Sequence, residues 1–194
     1  MINETRITPP SVLAKLLQET SELGFAMASD LLTGNLLRTL ASTKPGGKFL
    51  ELGTGTGCGT AWFLDGMDAD STLMTVENDR QAMSIAQRHL SHDPRLVFYM
   101  GDGGEFLNSI QNQAGSFDLI FADTWPGKYT HLDEALNLLK PGGIYLIDDM
   151  LPQPNWPADH PPKVEKLIET LEKRHDLRLT IMQWSTGLIL AVKI

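Results

Sequence analysis

Cysteine and basic residues are both scarce in this sequence. Its 194 residues include one cysteine, Cys58, and 16 lysines and arginines against 24 acidic residues, which gives a net charge of −8. One cysteine cannot form a disulfide within the chain, and this is typical of a reducing compartment. Because a surface that binds nucleic acid must neutralise phosphates with basic side chains, the acidic balance argues against a nucleic-acid partner.

Long apolar runs are missing as well. No stretch is long and apolar enough to span a membrane, and the first residues, 1–6, lack the apolar core of a signal peptide. We therefore expect a cytoplasmic protein with no membrane partner. The hydrophobic content of 42% and the charged content of 21% are ordinary for a globular protein. A chain of this length can form one domain with a full core.

Glycine is concentrated in one short segment. Four glycines alternate with small residues directly after a short apolar run: Gly53, Gly55, Gly57 and Gly59. Without a Cβ, glycine lets the chain turn sharply and lets a ligand touch the main chain. The residues that follow, 60–64, have the pattern of an opening helix. A strand, a glycine-rich turn and a helix N-terminus predict a cradle for a nucleotide-like ligand, whereas a simple tight turn would need only one or two of these glycines.

The spacing of these glycines distinguishes between nucleotide ligands. In the dinucleotide-binding fingerprint G-x-G-x-x-G, the third glycine would fall on Cys58, Thr60 or Trp62, depending on the starting glycine. The pattern present from Glu51 to Gly57 is Glu-x-Gly-x-Gly-x-Gly, which resembles motif I of the class I S-adenosylmethionine-dependent methyltransferases. The resemblance implies that the loop wraps the amino-acid end and the ribose of S-adenosylmethionine. A plain dinucleotide-binding protein is the alternative.

Predicted strands and helices alternate from Lys48 onward, which is typical of a parallel sheet covered on both faces. Five such strands are predicted, at residues 48–52, 72–76, 96–100, 117–122 and 144–147. Two more, 177–183 and 187–193, are joined by a link too short for a crossover, so they must be antiparallel. We therefore expect an α/β fold resembling the Rossmann-like seven-stranded methyltransferase sheet, with five parallel strands, a closing antiparallel hairpin and helices on both faces.

Two predicted helices precede this sheet. The first begins near Thr8-Pro9-Pro10, and the second runs from about Asp30 to Thr43. We interpret residues 1–45 as an N-terminal helical lid and residues 46–194 as the Rossmann-like core. Together they form a single methyltransferase domain, 1–194.

Prolines and glycines mark two breaks later in the chain. The segment Lys140-Pro141-Gly142-Gly143 should end a helix at 130–139 before the fifth strand begins. Residues 150–162 contain five prolines and are predicted to be a long irregular loop, followed by a helix from Lys163. Long loops of this kind are often part of a functional site.

An acid stands at or just past the end of each of the five predicted parallel strands: Glu51, Glu77, Asp102, Asp123 and the pair Asp148 and Asp149. One such acid often only caps a helix. Because ligands of open α/β sheets bind beyond the carboxyl ends of the strands, five acids in register indicate a binding site. A carboxylate at Glu77 can accept hydrogen bonds from ribose hydroxyls.

Three further segments narrow the resemblance. The run Phe121-Ala122-Asp123-Thr124-Trp125-Pro126-Gly127-Lys128-Tyr129 resembles the Asp-x-Trp-Lys-x-x-Tyr segment of catechol-type O-methyltransferases, and the segments 138–143 and 27–34 resemble that family as well. The resemblance implies methyl transfer from S-adenosylmethionine to a hydroxyl oxygen of a small-molecule acceptor. It also implies the residues that bind the cofactor: Met27, Ser29, Glu51, Gly53, Thr54, Gly55, Gly57, Gly59, Glu77, Asn78, Asp102, Gly103, Asp123 and Trp125.

The same resemblance implies a divalent cation. In that family the cation is held by Asp, Asp and Asn, and the matching positions are Asp123, Asp148 and Asp149, with aspartate in place of the asparagine. Their carboxylate oxygens suit Mg²⁺ or Ca²⁺. The resemblance therefore implies a metal site made of these three residues.

The catalytic base of the family has no counterpart. Pro126 stands where the family has a lysine, and proline cannot take a proton. Lys128, His131 or His160 could substitute, although each also fits an ordinary surface position. Among these we take Lys128, together with Asp123, as the candidate catalytic pair.

Other functions stay open at this point. The missing lysine would suit a module that binds S-adenosylmethionine without transferring its methyl group. On the same fold, the methyl group could go to nitrogen or carbon instead of oxygen. The identity of the acceptor is not readable from the sequence, and a homodimer is an additional expectation.

Overall fold

The computed structural model describes residues 7–154 and 156–194. In this part of the chain the strands form one sheet in the order β3-β2-β1-β4-β5-β7-β6. Their bounds are β1 Lys48–Leu52, β2 Thr72–Glu77, β3 Leu96–Met100, β4 Phe117–Ala122, β5 Leu139–Ile147, β6 Leu177–Met182 and β7 Leu188–Lys193. Strands β1 to β5 are parallel, and β7 is antiparallel to both β5 and β6. The predicted seven-stranded α/β sheet with its closing hairpin is confirmed.

Helices cover both faces of the sheet. They are α1 Leu13–Leu23, α2 Leu31–Ser42, α3 Cys58–Gly66, α4 Arg80–Leu90, α5 Gly103–Ser109, α6 Leu132–Asn137 and α7 His160–Glu172. Successive side chains of β1 alternate between the faces: Phe49 packs with α1 to α4, and Leu50 packs with α5 to α7. None of the helices described here is both long and apolar enough to cross a membrane.

The two N-terminal helices belong to the packed layer on the Phe49 face. Leu16 of α1 and Leu37 of α2 are fully buried, and they share a cluster with Trp62 of α3. Asp30 caps α2, because its carboxylate accepts hydrogen bonds from the main-chain nitrogens of Leu32 and Thr33. Because both helices pack into this layer, the part of residues 7–45 that can border a ligand is the segment between α1 and α2.

Strand β5 begins earlier than predicted. The expected breaker Lys140-Pro141-Gly142-Gly143 lies inside this strand, and α6 ends at Asn137. The pairing of β4 with β5 shifts between Phe117 and Leu119, and Gly142 has a φ of 75°. Such a bulge accommodates proline and glycine at the end of a strand without breaking its pairing further along.

Helix α7 also begins earlier than predicted. It starts at His160, so that Pro161 and Pro162 lie in its first turn. Proline is tolerated there because the first helical N–H groups have no partner within the helix. The predicted loop 150–162 therefore ends before His160, and this histidine is held on a helix rather than on a loop.

Candidate active site

A cavity of about 380 Å³ opens beyond the carboxyl ends of β1, β2 and β4. This volume is within the usual range of small-molecule sites. The structure brings most of the predicted site residues to its wall: Met27, Ser29, Gly53, Thr54, Gly55, Gly59, Glu77, Asn78, Asp123, Trp125, Lys128 and Asp149. Five predicted residues do not line it: Glu51, Gly57, Asp102, Gly103 and Asp148. The sheet topology thus collects residues from distant segments at one place.

Two glycines form a floor of main chain in this cavity. Gly53 and Gly55 have φ values of 99° and 52°, in the left-handed region that favours glycine. A Cβ at Gly53 would lie 2.7 Å from the main-chain oxygen of Asp123, and one at Gly55 would lie 3.2 Å from the ring of Phe25. Neither position can therefore carry a side chain without displacing Asp123 or Phe25, which both line the cavity.

The other two glycines of the loop lie close to neighbouring protein atoms, although Gly59 also lines the cavity. Gly57 has a φ of 92°, and a Cβ there would lie 2.9 Å from Ala86 of α4. A Cβ at Gly59 would lie 2.7 Å from the carboxylate of Glu51. Spacing in the sequence could not separate the packing position Gly57 from the three glycines that line the cavity, because all four are the same residue.

Glu51 supports the loop from behind. Its carboxylate is buried and accepts hydrogen bonds from Thr60 Oγ1 at 2.5 Å and Thr75 Oγ1 at 2.6 Å. Burial raises the pKa of Glu51 to about 7, although the two threonine hydroxyls act in the opposite direction. Its direct contact with a cofactor stays a prediction.

Glu77 connects the end of β2 to the glycine loop. Its Oε2 accepts a hydrogen bond of 2.8 Å from the main-chain nitrogen of Gly55. Its Oε1 accepts from the main-chain nitrogens of Asn78 at 2.8 Å and Asp79 at 2.9 Å. A carboxylate has about four acceptor positions, so Glu77 can still accept from a ligand in the cavity.

Asp102 is the cap of α5. Its Oδ1 accepts hydrogen bonds from the main-chain nitrogens of Gly104 at 2.8 Å and Glu105 at 3.0 Å. A Cβ on Gly103 would lie 3.2 Å from Pro126. Both positions thus have a local structural role, and their contact with a cofactor stays a prediction.

The three predicted metal ligands are not arranged as a metal site. Within residues 7–154 and 156–194, no three His, Cys, Asp or Glu side chains form a group that could hold a metal ion. The carboxylate of Asp148 instead accepts hydrogen bonds from the Thr186 hydroxyl and from the main-chain nitrogen of Asp149. Asp149 has a left-handed backbone, with a φ of 62°. The geometry does not fit a divalent cation on Asp123, Asp148 and Asp149, which corrects the expectation from the sequence.

A lysine supplies positive charge beside these acids. Lys128 is 4% exposed, and its Nζ donates a hydrogen bond of 3.1 Å to the main-chain oxygen of Asp148. Burial, followed by the charge of Asp148, raises the pKa of Asp123 well above its usual range, and the charge of Lys128 partly offsets this. Burial also raises the pKa of Asp148 to about 6. The prediction that Lys128 is an ordinary surface residue is therefore wrong. A lysine is almost never this deeply buried without partners, and here the partners are the acids and the main-chain oxygen of Asp148.

Aromatic residues border the cavity on the side of α7. Trp156 stacks on His160, with ring centroids 4.1 Å apart and an angle of 7° between the planes. Tyr129 Oη and His160 Nε2 are 2.8 Å apart, and Trp125 meets His160 edge-on at 6.2 Å. The sequence indicated His160 only as one of several substitutes for the missing base, and Tyr129 only as the last residue of the family segment. For Trp156, the available signal was the presence of a tryptophan in the proline-rich segment 150–162.

His131 lies elsewhere. It does not line the cavity, and a Cβ on Gly104 would lie 2.5 Å from its ring. Its Nδ1 is buried and has no hydrogen-bond partner among the described residues. Of the two histidines considered from the sequence, the structure brings only His160 to the cavity.

The O-methyltransferase family model matches residues 3–194. A protein of Mycolicibacterium vanbaalenii named "Putative O-methyltransferase" is 28% identical over 149 residues, which cover 74% of this chain and 65% of that protein. The chain therefore spans slightly less than two thirds of the length of that relative.

Solved structures share the fold. One from Klebsiella pneumoniae, with the same description, is 26% identical, has a TM-score of 0.85, and covers 98% of this chain and 93% of its own. The O-methyltransferase from Bacillus cereus in complex with SAH is 23% identical, with a TM-score of 0.86 and coverage of 97% and 93%.

Proposed function

The chain belongs to the O-methyltransferase family, and on that premise we propose that it transfers the methyl group of S-adenosylmethionine to a hydroxyl oxygen of a small molecule. The observation that carries this proposal is the main-chain floor at Gly53 and Gly55, connected to the carboxylate of Glu77. A side chain at either glycine would displace Asp123 or Phe25 at the cavity wall. A floor without side chains and an acid at the end of β2 suit a ligand with a ribose.

The proposed cofactor contacts follow the wall of the cavity. Glu77 accepts hydrogen bonds from the ribose hydroxyls, while Asn78 and Trp125 border the same space. Ser29 Oγ lies 3.3 Å from Asp123 Oδ2, and these two polar groups receive the amino-acid end together with Met27, Thr54 and Gly59. Glu51 and Gly57 hold the loop in shape from behind, and Asp102 and Gly103 complete the proposed set at the end of β3.

Bound S-adenosylmethionine would supply a methyl group on a sulfonium, which is a good leaving group. The tasks left to the protein are to position the acceptor, to exclude water and to remove a proton. Lys128 and Asp123 are the proposed polar pair beside the acceptor. The ammonium of Lys128 favours negative charge on the acceptor oxygen, and Asp123 orients the groups around it.

A turnover assay tests this function. The purified protein is incubated with S-adenosylmethionine and a panel of phenols and catechols, and the release of S-adenosylhomocysteine is measured. Matched aniline compounds, in which nitrogen replaces oxygen, separate O- from N-methylation. Release that depends on a hydroxyl compound supports the proposal. Binding of S-adenosylhomocysteine without turnover of any compound would instead support a cofactor-binding module.

The cytoplasmic location and the homodimer are also proposals. The single cysteine supports a reducing compartment. Exposed apolar side chains on the outermost strand β3, Val97 and Tyr99, support self-association. Sedimentation velocity tests the dimer, and a species of 21.4 kDa at all protein concentrations would contradict it.

A further inference from the structure

We infer that His160, oriented by Tyr129, takes the proton from the acceptor hydroxyl. This inference rests on the proposed function and supplies the base that is missing at Pro126. Three observations support it: the position of His160, the contacts that hold its ring, and the exclusion of the other candidates.

His160 is placed at the cavity by α7. It is 6% exposed and lines the same cavity as Asp123, Lys128 and the glycine loop. As the first residue of α7, it is fixed by a helix whose first turn is stiffened by Pro161 and Pro162. A base must lie within hydrogen-bond reach of the proton that it removes, and a residue of the cavity wall can meet this condition for an acceptor bound in the cavity.

The ring of His160 is held by aromatic neighbours. Trp156 stacks against its face at 4.1 Å, and Trp125 and Tyr129 contact it edge-on. The 2.8 Å contact between Tyr129 Oη and His160 Nε2 fixes the rotation of the ring. A ring held in one orientation meets the requirement for a positioned base.

The hydrogen bond to Tyr129 can run in either direction, and the inference requires the one in which the imidazole donates. When Nε2–H donates to Tyr129 Oη, Nδ1 keeps the lone pair that can accept a proton. Among the described residues, the hydrogen bond of the His160 ring is the one at Nε2. In the proposed step the O–H bond of the acceptor breaks, its electron pair stays on oxygen, and the proton forms a bond to Nδ1. The resulting imidazolium donates more strongly to Tyr129 Oη and returns its proton to water after the product leaves.

The surroundings of His160 favour its neutral form, which can accept a proton. Burial, and next the charge of Lys128, lower the pKa of His160, and Lys163 acts in the same direction. Asp149 and Asp159 act against this. Tyr129 stays neutral, because burial and the charge of Asp149 raise its pKa. The imidazole is therefore uncharged at neutral pH.

The remaining candidates are less suited to the role. Lys128 Nζ already donates to the main-chain oxygen of Asp148, and an ammonium has no lone pair with which to take a proton. His131 does not line the cavity. His160 is the candidate that combines access to the cavity with a neutral side chain.

The kinetic test uses His160→Gln, Tyr129→Phe and, as the matched control, His175→Gln, which changes an exposed histidine outside the cavity. With phenol as acceptor, we expect kcat of His160→Gln to fall about 100-fold, the lower range for loss of a general base. With 4-nitrophenol, which ionises far more easily, the loss should be less than about tenfold, because little help with the proton is needed. The control should match the wild type.

The pH profile separates a base from a structural residue. In the wild type, kcat should fall on the acid side as His160 becomes protonated, and this limb should be absent in His160→Gln. Tyr129→Phe should move the limb to lower pH, because the imidazolium loses its acceptor. Equal losses with both phenols, or an acid limb that persists in His160→Gln, would overturn the inference.

A second readout needs no acceptor. Nitrogen-15 NMR of the imidazole groups, in the protein loaded with S-adenosylhomocysteine, should show His160 with a proton on Nε2 and none on Nδ1 above neutral pH. The signal is assigned by its loss in His160→Gln. A proton on Nδ1 would overturn the inference. If the wild type binds S-adenosylhomocysteine but turns over no compound of the phenol and catechol panel, the proposed function fails and the inference falls with it.

Discussion

Lys128 donates a hydrogen bond of 3.1 Å from its Nζ to the main-chain oxygen of Asp148, so that a buried ammonium lies beside a group of acids. The charge of Lys128 acts on both Asp123 and Asp148, and it opposes their mutual repulsion. Buried charges are costly unless they are paired. In this protein a side chain provides the positive charge at the place where the sequence suggested a metal ion.

Replacement of Lys128 should therefore destabilise the fold. In Lys128→Met the neighbouring carboxylates lose their countercharge, and a buried charge without its partner costs about 3 kcal/mol or more. The loss should be larger at high pH and smaller in acid, where Asp123 and Asp148 take up protons. Chemical denaturation at several pH values measures this, with Lys173→Met at an exposed position as control. A loss that does not vary with pH would mean that the charge of Lys128 is not what matters.

Removal of divalent cations should leave the protein unchanged. Because the acids do not form a metal-binding group, an excess of EDTA should alter neither the turnover of a methyl acceptor nor the melting temperature. Addition of Mg²⁺ or Ca²⁺ should give no stabilisation beyond that produced by an equal ionic strength of NaCl. A stabilisation specific to either cation, lost in Asp148→Ala, would restore the metal site.

A side chain at Gly55 should prevent cofactor binding. S-adenosylhomocysteine at a hundredfold excess over its Kd should stabilise the wild type by about 2.7 kcal/mol, and Gly55→Val should lose this effect because the side chain meets Phe25. Gly115→Val is the matched control, since Gly115 also has a left-handed backbone, with a φ of 65°, but no neighbour within 4 Å. Thermal unfolding with and without the ligand gives the answer. Equal ligand effects in both variants would remove the loop from the cofactor site.

Loss of the charge at Glu77 should weaken cofactor binding with little effect on the fold. Hydrogen bonds to a charged group contribute roughly 1.5–3 kcal/mol, so Glu77→Gln should raise the Kd for S-adenosylhomocysteine at least about tenfold. Glutamine is preferred to alanine, because its one carbonyl oxygen can still accept from the main-chain nitrogens of Asn78 and Asp79, although the hydrogen bond from Gly55 is lost. Isothermal titration calorimetry measures the Kd, and Glu172→Gln at an exposed position serves as control. An unchanged Kd would reject the ribose contact.

Glu51 should make the stability depend on pH. Its pKa is raised from 4.5 to about 7 in the folded state, so the folded chain binds the extra proton between these values. The associated stability is fully present below about pH 4.5 and is lost as the pH rises through about 7, by about 3 kcal/mol in total. Glu51→Gln, which keeps an acceptor for Thr60 and Thr75, should remove this dependence. Unfolding free energies between pH 4.5 and 8 test it, and an unaltered pH slope in the variant would contradict the prediction.

The order of strands and helices was readable from the sequence because it depends on local patterns. Apolar strands, helical stripes and short links act over a few residues, so they predicted the sheet, its closing hairpin and the glycine loop after β1. Element ends were less predictable: Pro141 lies within β5, and Pro161 within the first turn of α7. A proline indicates that a strand or helix ends nearby. Strand pairing and the unpaired N–H groups of a helix start decide whether the proline itself lies inside or outside that element.

The site depended on contacts between residues far apart in the chain. The sequence indicated acids at the strand ends, and the parallel sheet brought most of them to one edge. The positions of the glycines depended on the fold, because Gly55 faces the cavity while Gly57 packs against α4. The burial of Lys128 and the pairing of His160 with Tyr129 have no local signature, because each arises when β5 and α7 pack against the segment after β4. Residue types thus determined which chemistry was available, and packing decided which side chains can perform it.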